Sequence, residues 1–260
     1  VLPLVNVGGE PSAEYLSDGI TEGLINSLSR LPKLKVKSRS SVFRYKGKEA
    51  DPQKVGSELG VRAVLTGRVV QRGTDLSISI ELVDAKENNQ IWGQQYSRPS
   101  REIAGVQGEI AREISRKLGL QLTGAEEKQL ARRETGSGEA YRLYLQGRYF
   151  WNKRTAEGFQ KGIEYFNQAL AKDPGYALAY AGLADSYVML GDYGIAPPRE
   201  AFARTKAAAA KALELDETLA EAHASLAYAH HLYGWDWSRA EQEFKRAIEL
   251  NPNYATARDW

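Results

Sequence analysis

The first half of the chain mixes the apolar periods of helices and strands. Apolar residues recur every three or four positions at residues 16–31 and 103–118, which predicts two amphipathic helices. Alternating or short apolar runs predict strands at residues 1–7, 34–40, 63–70, 76–83 and 90–98. A short helix is predicted at residues 52–59. The order β-α-β-α-β-β-β-α favours an α/β fold, a mixed-sheet α/β sandwich.

Glycine and proline mark the ends of these predicted elements. Pro52 suits the first turn of a helix, and Gly60 suits the position after its last turn. Gly73 lies in a short loop that predicts a β-hairpin. Gly19 and Gly23 lie on the apolar face of the first helix, where we expect close approach to a sheet. Gly8, Gly9 and Pro11 predict a turn; the spacing of a phosphate-binding loop is absent.

The second half repeats itself. Residues 140–150, 179–189 and 222–232 each begin with alanine and a ring-bearing residue, and a second near-repeat follows each of them. Self-similarity of this kind predicts stacked helical hairpins, which bury their apolar faces on one another and leave a groove for a partner. The second half is therefore predicted to be an all-α helical-repeat domain.

Residues 135–138 (Thr-Gly-Ser-Gly) are flexible and polar, and Ser137 can cap the helix that follows. We predict an α/β domain at residues 1–124, a linker at 125–138 and about three repeats at 139–260, the last one cut short. The chain does not begin with Met, and residues 253–260 restart the repeat. We therefore expect a piece of a longer protein.

Composition excludes some chemistry. The chain of 260 residues has a net charge of +2 and no cysteine, which excludes disulfides and a cysteine nucleophile. The three histidines are His223, His230 and His231, so a Ser-His-Asp triad within the first half is excluded. His223 and His230 would lie two helical turns apart, too far for a simple metal chelate. We expect no metal, no cofactor and no enzyme activity.

A run of basic residues follows the first predicted helix, with Phe43 and Tyr45 interleaved. The candidate anion-binding residues are Lys35, Lys37, Arg39, Arg44 and Lys46. The simplest interpretation is a lysine-studded strand that resists edge pairing. An anionic partner or membrane surface is the alternative, and nucleic acid is less favoured than either.

Trp235 and Trp237 lie in the loop of the third repeat. If exposed, paired tryptophans would mark an interaction hot spot. We expect them instead to pack under the loop.

Residues 1–123 resemble the amino-terminal domain of TolB and its relatives. The segments that carry the likeness are YLSDGITEGLINSL, ELGVRAVLTGRVVQRG and LVDAKENNQIWGQQYSR. The resemblance implies a sensory or accessory domain without catalysis, in a bacterial receptor with a kinase or a CadC-type winged-helix output. It implies a membrane-anchored parent with this part on the periplasmic side, or alternatively in the cytoplasm.

Residues 139–260 resemble tetratricopeptide (TPR) repeats. The second-helix pattern is strong at Gly162, Phe166, Ala169 and Pro174, recurs at 240–252 and is degenerate at 205–217. In the first helix of the first repeat, either Leu145 or Gly147 fills the small-residue position. The family's concave-face positions correspond to Arg142, Gln146, Asp185, Met189, Tyr228 and His231. Plain solvent-facing positions are the alternative interpretation.

The resemblances and the repeats favour a non-catalytic sensory or scaffolding fragment that holds a protein or peptide partner in the repeat groove. Alternatively, the first domain senses a ligand and the repeats act as a relay or dimerisation surface. A homo-oligomer is therefore one of the expected partners.

Overall fold

The computed structural model describes residues 1–8, 13–132 and 134–260. The chain divides into two compact units, Val1–Arg133 and Glu134–Trp260. Gly9 and Pro11 of the predicted turn, and residue 133 of the predicted linker, lie outside the described residues. Within the described residues, no helix combines the length and the hydropathy that a membrane span requires.

The first unit is mixed α/β, as predicted. Its four-stranded sheet has the order β1 (Val5–Asn6), β2 (Ala63–Arg72), β3 (Asp75–Asp84) and β4 (Asn89–Pro99). Strand β1 runs parallel to β2, whereas the pairs β2–β3 and β3–β4 are antiparallel. The helices are α1 (Glu14–Ser29), α2 (Arg39–Phe43), α3 (Pro52–Leu59), α4 (Val106–Lys117) and α5 (Gly124–Ala131), and a 3₁₀ turn over Ser100–Gly105 precedes α4.

Local sequence signals fix several ends of these elements. Gly73 has a φ of +59° in the two-residue loop between β2 and β3, a conformation that glycine adopts readily. Gly60 closes α3 in the left-handed region, and Pro52 starts that helix, both as predicted. The apolar positions of β3 alternate as expected, because Leu76, Ile78, Ile80 and Leu82 are all buried.

At Gly23, helix α1 approaches another helix closely, whereas we expected a close approach to the sheet. A Cβ atom on Gly23 would lie 2.3 Å from Gln107 Nε2 of α4. That Nε2 donates a hydrogen bond to the backbone carbonyl oxygen of Gly19 at 3.4 Å. The small residues of α1 therefore make room for a polar side chain of α4.

The predicted strand at residues 34–40 is wrong. Residues 34–38 are irregular, and α2 begins at Arg39. An alternating pattern becomes a strand only where a neighbouring strand offers hydrogen bonds. Here Arg39 instead pairs with Glu22 of α1, while Val42 is buried in a core cluster with Ile25 and Val55.

The second unit is helical. Its helices are α6 (Gly138–Trp151), α7 (Ala156–Lys172), α8 (Ala177–Asp192), α9 (Pro198–Leu215), α10 (Ala220–Ala229), α11 (Trp237–Leu250) and α12 (Ala255–Asp259). Helix α6 packs on α7, α8 on α9, and α10 on α11, while α7 also packs on α8 and α9 on α10. Ser137 caps α6 as predicted, because its Oγ accepts a hydrogen bond from the Ala140 N–H.

Phe166 of α7 fits between two glycines on different helices. A Cβ atom would lie 2.5 Å from its ring at Gly147 of α6 and 2.6 Å from it at Gly182 of α8. Gly147, and not Leu145, therefore lies at the close approach between α6 and α7, where only a small residue fits. Leu145 is buried beside it on α6.

Candidate functional site

A buried polar chain joins three helices of the second unit. Arg148 Nη1 of α6 donates to Asp185 Oδ2 of α8 at 2.8 Å. The Ser225 hydroxyl of α10 donates to the other carboxylate oxygen of Asp185. One carboxylate thus holds the first helices of all three hairpins, which fixes their mutual arrangement.

Asp185 is almost fully buried, and this burial raises the pKa of its carboxyl group. Arg148 and Ser225 oppose that effect by stabilising the ionised form. The ion pair therefore offsets a large desolvation cost and makes the position sensitive to substitution.

Two arginines lie over the ring of Trp151 at the end of α6. The guanidinium carbon of Arg148 lies 4.3 Å from a Trp151 ring centroid, and that of Arg154 lies 3.8 Å from it. Arg154 also donates to the Met189 sulfur at 3.2 Å. Asp185 and Met189, which the TPR resemblance places at contact positions, are therefore buried among residues of their own unit.

Aromatic rings form a continuous row at the end of α10. Ring centroids are 4.5 Å apart between Trp260 and Tyr228 and 6.3 Å apart between Tyr228 and His231. The row continues from His231 to Trp237 at 4.7 Å and from Trp237 to Trp235 at 5.9 Å. We call these five residues the aromatic row. It contains Tyr228 and His231, two of the contact residues proposed from sequence.

The prediction that the two loop tryptophans pack under the loop is wrong. Trp235 is 71% exposed and Trp237 is 55% exposed. The chain reaches them through a π-helical turn over His230–Gly234, and Trp235 has a φ of +49°. A positive φ is unfavourable for a bulky residue, and both the π-helical turn and the strained backbone occur often at functional sites. The sequence signal was the Gly-Trp-Asp-Trp run, but its exposure depends on this turn.

The other two proposed contact residues lie on α6. Arg142 and Gln146 are both half-buried. The Nε atom of Arg142 is buried and has no hydrogen-bond partner among the residues that the structure describes. Sequence reasoning missed Arg148 and Ser225. The available signal was Asp185 itself, because an aspartate in a helix that is buried on most sides requires a hydrogen-bonding partner.

The five candidate anion-binding residues of the first unit separate into two groups. Lys46 contacts Asp18 at 2.6 and 2.7 Å and Glu14 at 2.8 Å, and Arg39 pairs with Glu22 at 3.2 Å. These two cations hold the segment to α1. In contrast, Lys35, Lys37 and Arg44 are exposed, and Arg44 donates to the Tyr45 hydroxyl at 3.1 Å.

The histidines serve packing and ion pairing within the second unit. His223 Nδ1 lies 2.5 Å from Glu243 Oε2. Burial, together with the nearby Lys206 charge, lowers the pKa of His230. Within the described ranges, no group of three or more His, Asp or Glu side chains is placed to hold a metal ion.

Comparison with known proteins identifies the family. The model of the HilA/YgeH-like transcriptional regulator, second domain, matches residues 2–134, which is more than half of the chain. The chain belongs to this family. The match covers the first unit and ends at its boundary with the second.

Two kinds of relative of this HilA/YgeH-like chain are known by name. A Rhizobium meliloti protein named "Putative adenylate cyclase 3" is 35% identical over 95% of the chain. The transcriptional regulator HilA of Salmonella typhimurium is 25% identical over 72% of the chain. The chain spans 41% of the first relative and 33% of the second, so much of each lies outside the match.

The expectation that this protein has no enzyme activity is contradicted by the first comparison. The relative that matches 95% of the chain bears the name of an enzyme. The sequence argument failed because it searched for a few local motifs: thiol and serine nucleophiles, simple metal chelates, phosphate loops and paired carboxylates such as Glu126 and Glu127. Excluding those motifs does not exclude other chemistry in the protein to which the chain belongs.

A lipoprotein of Neisseria meningitidis, GNA1162, matches 47% of the chain and 96% of its own length at 19% identity. The TM-score is 0.32, which is too low to establish a shared fold.

Proposed function

We propose that this HilA/YgeH-like chain is a regulatory segment of a signalling protein and that its helical unit binds a protein or peptide partner. The observation that carries this proposal is the aromatic row, which exposes Trp235 and Trp237 on a strained turn. Tryptophan dominates the binding energy of many protein interfaces, because one side chain buries a large area with few rotatable bonds.

The surroundings of the row support a preformed site. Trp237 contacts the His231 ring edge-on, and Tyr228 stacks on Trp260, so the exposed rings rest on half-buried ones. Asp236 caps α11 by accepting a hydrogen bond from the Arg239 N–H, which fixes the loop between the tryptophans. Rings held in this way lose little conformational entropy when a partner binds.

A finer assignment follows from the resemblances. We propose that the first unit is TolB-like and that the helical unit consists of TPR repeats. Support for the repeats comes from the packing of Phe166 between Gly147 and Gly182, which explains the small–bulky pattern of the sequence. The concave face would then include Arg142 and Gln146, the half-buried candidates on α6.

The relatives support a regulatory role. One is named as a cyclase and the other as a transcriptional regulator, yet both contain a region similar to this chain. Because this region occurs in proteins with different named activities, we propose that it regulates the activity of the attached domain by binding a partner. Nucleotide cyclisation or transcriptional control is accordingly the proposed output of the parent protein.

Selection from a random peptide library against the 260-residue chain tests the partner proposal. Selected peptides should lose about 100-fold in affinity for the Trp235→Ala/Trp237→Ala variant, because hot-spot truncations cost about 2 kcal/mol or more. Tyr193→Ala, which removes another exposed ring of the same unit, should change the affinity less than about threefold. Failure to select any peptide, or equal loss in both variants, would refute the proposed site.

A further inference from the structure

The first unit contains a cavity that the proposed partner site does not use. Its volume is about 630 Å³, within the usual range of small-molecule sites. It lies among the irregular segment 34–38, the residues that follow α3 and the residues that follow α4. The cavity therefore lies beside residues 34–38, the segment that was predicted to be a strand and is irregular instead.

The interior of the cavity is apolar. Several lining residues are apolar yet only half-buried, so part of their surface is not covered by the protein itself: Leu34, Val36, Leu59, Val61, Leu118 and Leu120. An apolar body that entered the cavity would remove this surface from water. Each methylene group buried in this way contributes about 0.8 kcal/mol.

The charged lining residues are mainly cationic: Lys35, Lys37, Arg62 and Lys117 against one carboxylate, Asp84. The three lysines are exposed and make no ion pair with any described residue. The Asp84 carboxylate accepts hydrogen bonds from the N–H groups of Lys86 and Glu87, and Arg62 Nε lies 3.7 Å from it. Arg62 offsets the one negative charge of Asp84, which leaves the three lysines as the excess charge of the lining.

We infer that this cavity binds a small amphipathic anion, with an apolar body inside and one acidic head group among Lys35, Lys37 and Lys117. Complementary charge selects the head group, and the half-buried apolar lining selects the body. This site belongs to the first unit, so it is independent of the partner site proposed for the helical unit.

Isothermal titration of the 260-residue chain with sodium decanoate, below its micelle concentration, tests this inference. Decanoate should bind, and the neutral 1-decanol should bind about tenfold more weakly. The Lys35→Gln/Lys37→Gln/Lys117→Gln variant should lose about tenfold in decanoate affinity, because each rim contact contributes modestly. Lys54→Gln removes an exposed lysine that does not line the cavity and should leave binding unchanged.

A second variant distinguishes binding inside the cavity from binding to the protein surface. Val61→Trp should fill part of the cavity and abolish decanoate binding while the circular dichroism spectrum stays unchanged. The inference is overturned if decanoate does not bind, if folded Val61→Trp binds it like the wild type, or if the triple lysine variant keeps full affinity. Equal binding of decanol and decanoate would overturn the assignment of an anionic ligand.

Discussion

Replacing Asp185 by alanine breaks the polar chain that joins α6, α8 and α10. The side chains of Arg148 and Asp185 are only 14% and 3% exposed, so Asp185→Ala leaves a cation with little access to water. Removing one partner of a buried ion pair costs about 3–5 kcal/mol. Burial also raises the pKa of Asp185, which shows that the carboxylate itself is costly to bury. We therefore expect the lower end, a loss of about 3 kcal/mol.

Urea unfolding followed by tryptophan fluorescence suits this measurement. Of the five tryptophans, Trp151, Trp235, Trp237 and Trp260 lie in the helical unit, so the signal reports mainly on that unit. Glu241→Ala is the matched control, because it breaks an exposed ion pair with Lys245 one turn away on α11. That control should cost less than about 0.5 kcal/mol.

A double-substitution cycle then tests the cause of the loss. If the loss comes from the unpaired Arg148, adding Arg148→Met to Asp185→Ala should recover about 1–2 kcal/mol. The reasoning would be refuted if Asp185→Ala cost no more than Glu241→Ala. The reasoning would also fail if the losses of the two single variants simply added up in the double variant, because additive losses mean that Arg148 and Asp185 are not coupled.

Three further predictions concern other parts of the chain. Gly182→Ala should destabilise the helical unit by about 1–2 kcal/mol in urea unfolding, because the new Cβ atom would lie 2.6 Å from the Phe166 ring. Gly124→Ala is the control and should not destabilise the chain, because no atom lies near its Cβ position. Folding lowers the pKa of His230 from its ordinary value of 6.5, so the unfolded chain takes up the proton first and stability should fall as the pH decreases through that value. His230→Gln should reduce this fall, and an unchanged pH profile would contradict the prediction. Thr123→Ala should cost about 1 kcal/mol by removing the cap of α5, measured by thermal unfolding of the first unit; no change would exclude that role.

Local signals in the sequence predicted much of the secondary structure. Ser137, Gly60 and Gly73 act through hydrogen bonds or φ angles within a few residues of themselves, so their roles follow from the nearby sequence. The alternation along β3 predicted its buried face, because every second side chain points to the same side.

The candidate site was only partly predictable. Tyr228 and His231 were named from the repeat pattern, and they lie in the aromatic row. Asp185 was named for the same reason, but its partners Arg148 and Ser225 come from helices far along the chain. No local pattern states which distant residues will meet a buried carboxylate.

The sequence by itself determined the mixed α/β first half, the helices of the second half, both ends of α3 and the start of α6. These features depend on periodicity and on residues within one helical turn. Only the tertiary structure decided that residues 34–38 would leave an apolar cavity instead of joining the sheet. It also decided that Trp235 would face water and Asp185 would not. Exposure and strand pairing depend on which distant surfaces are available, and that is settled only when the whole unit packs.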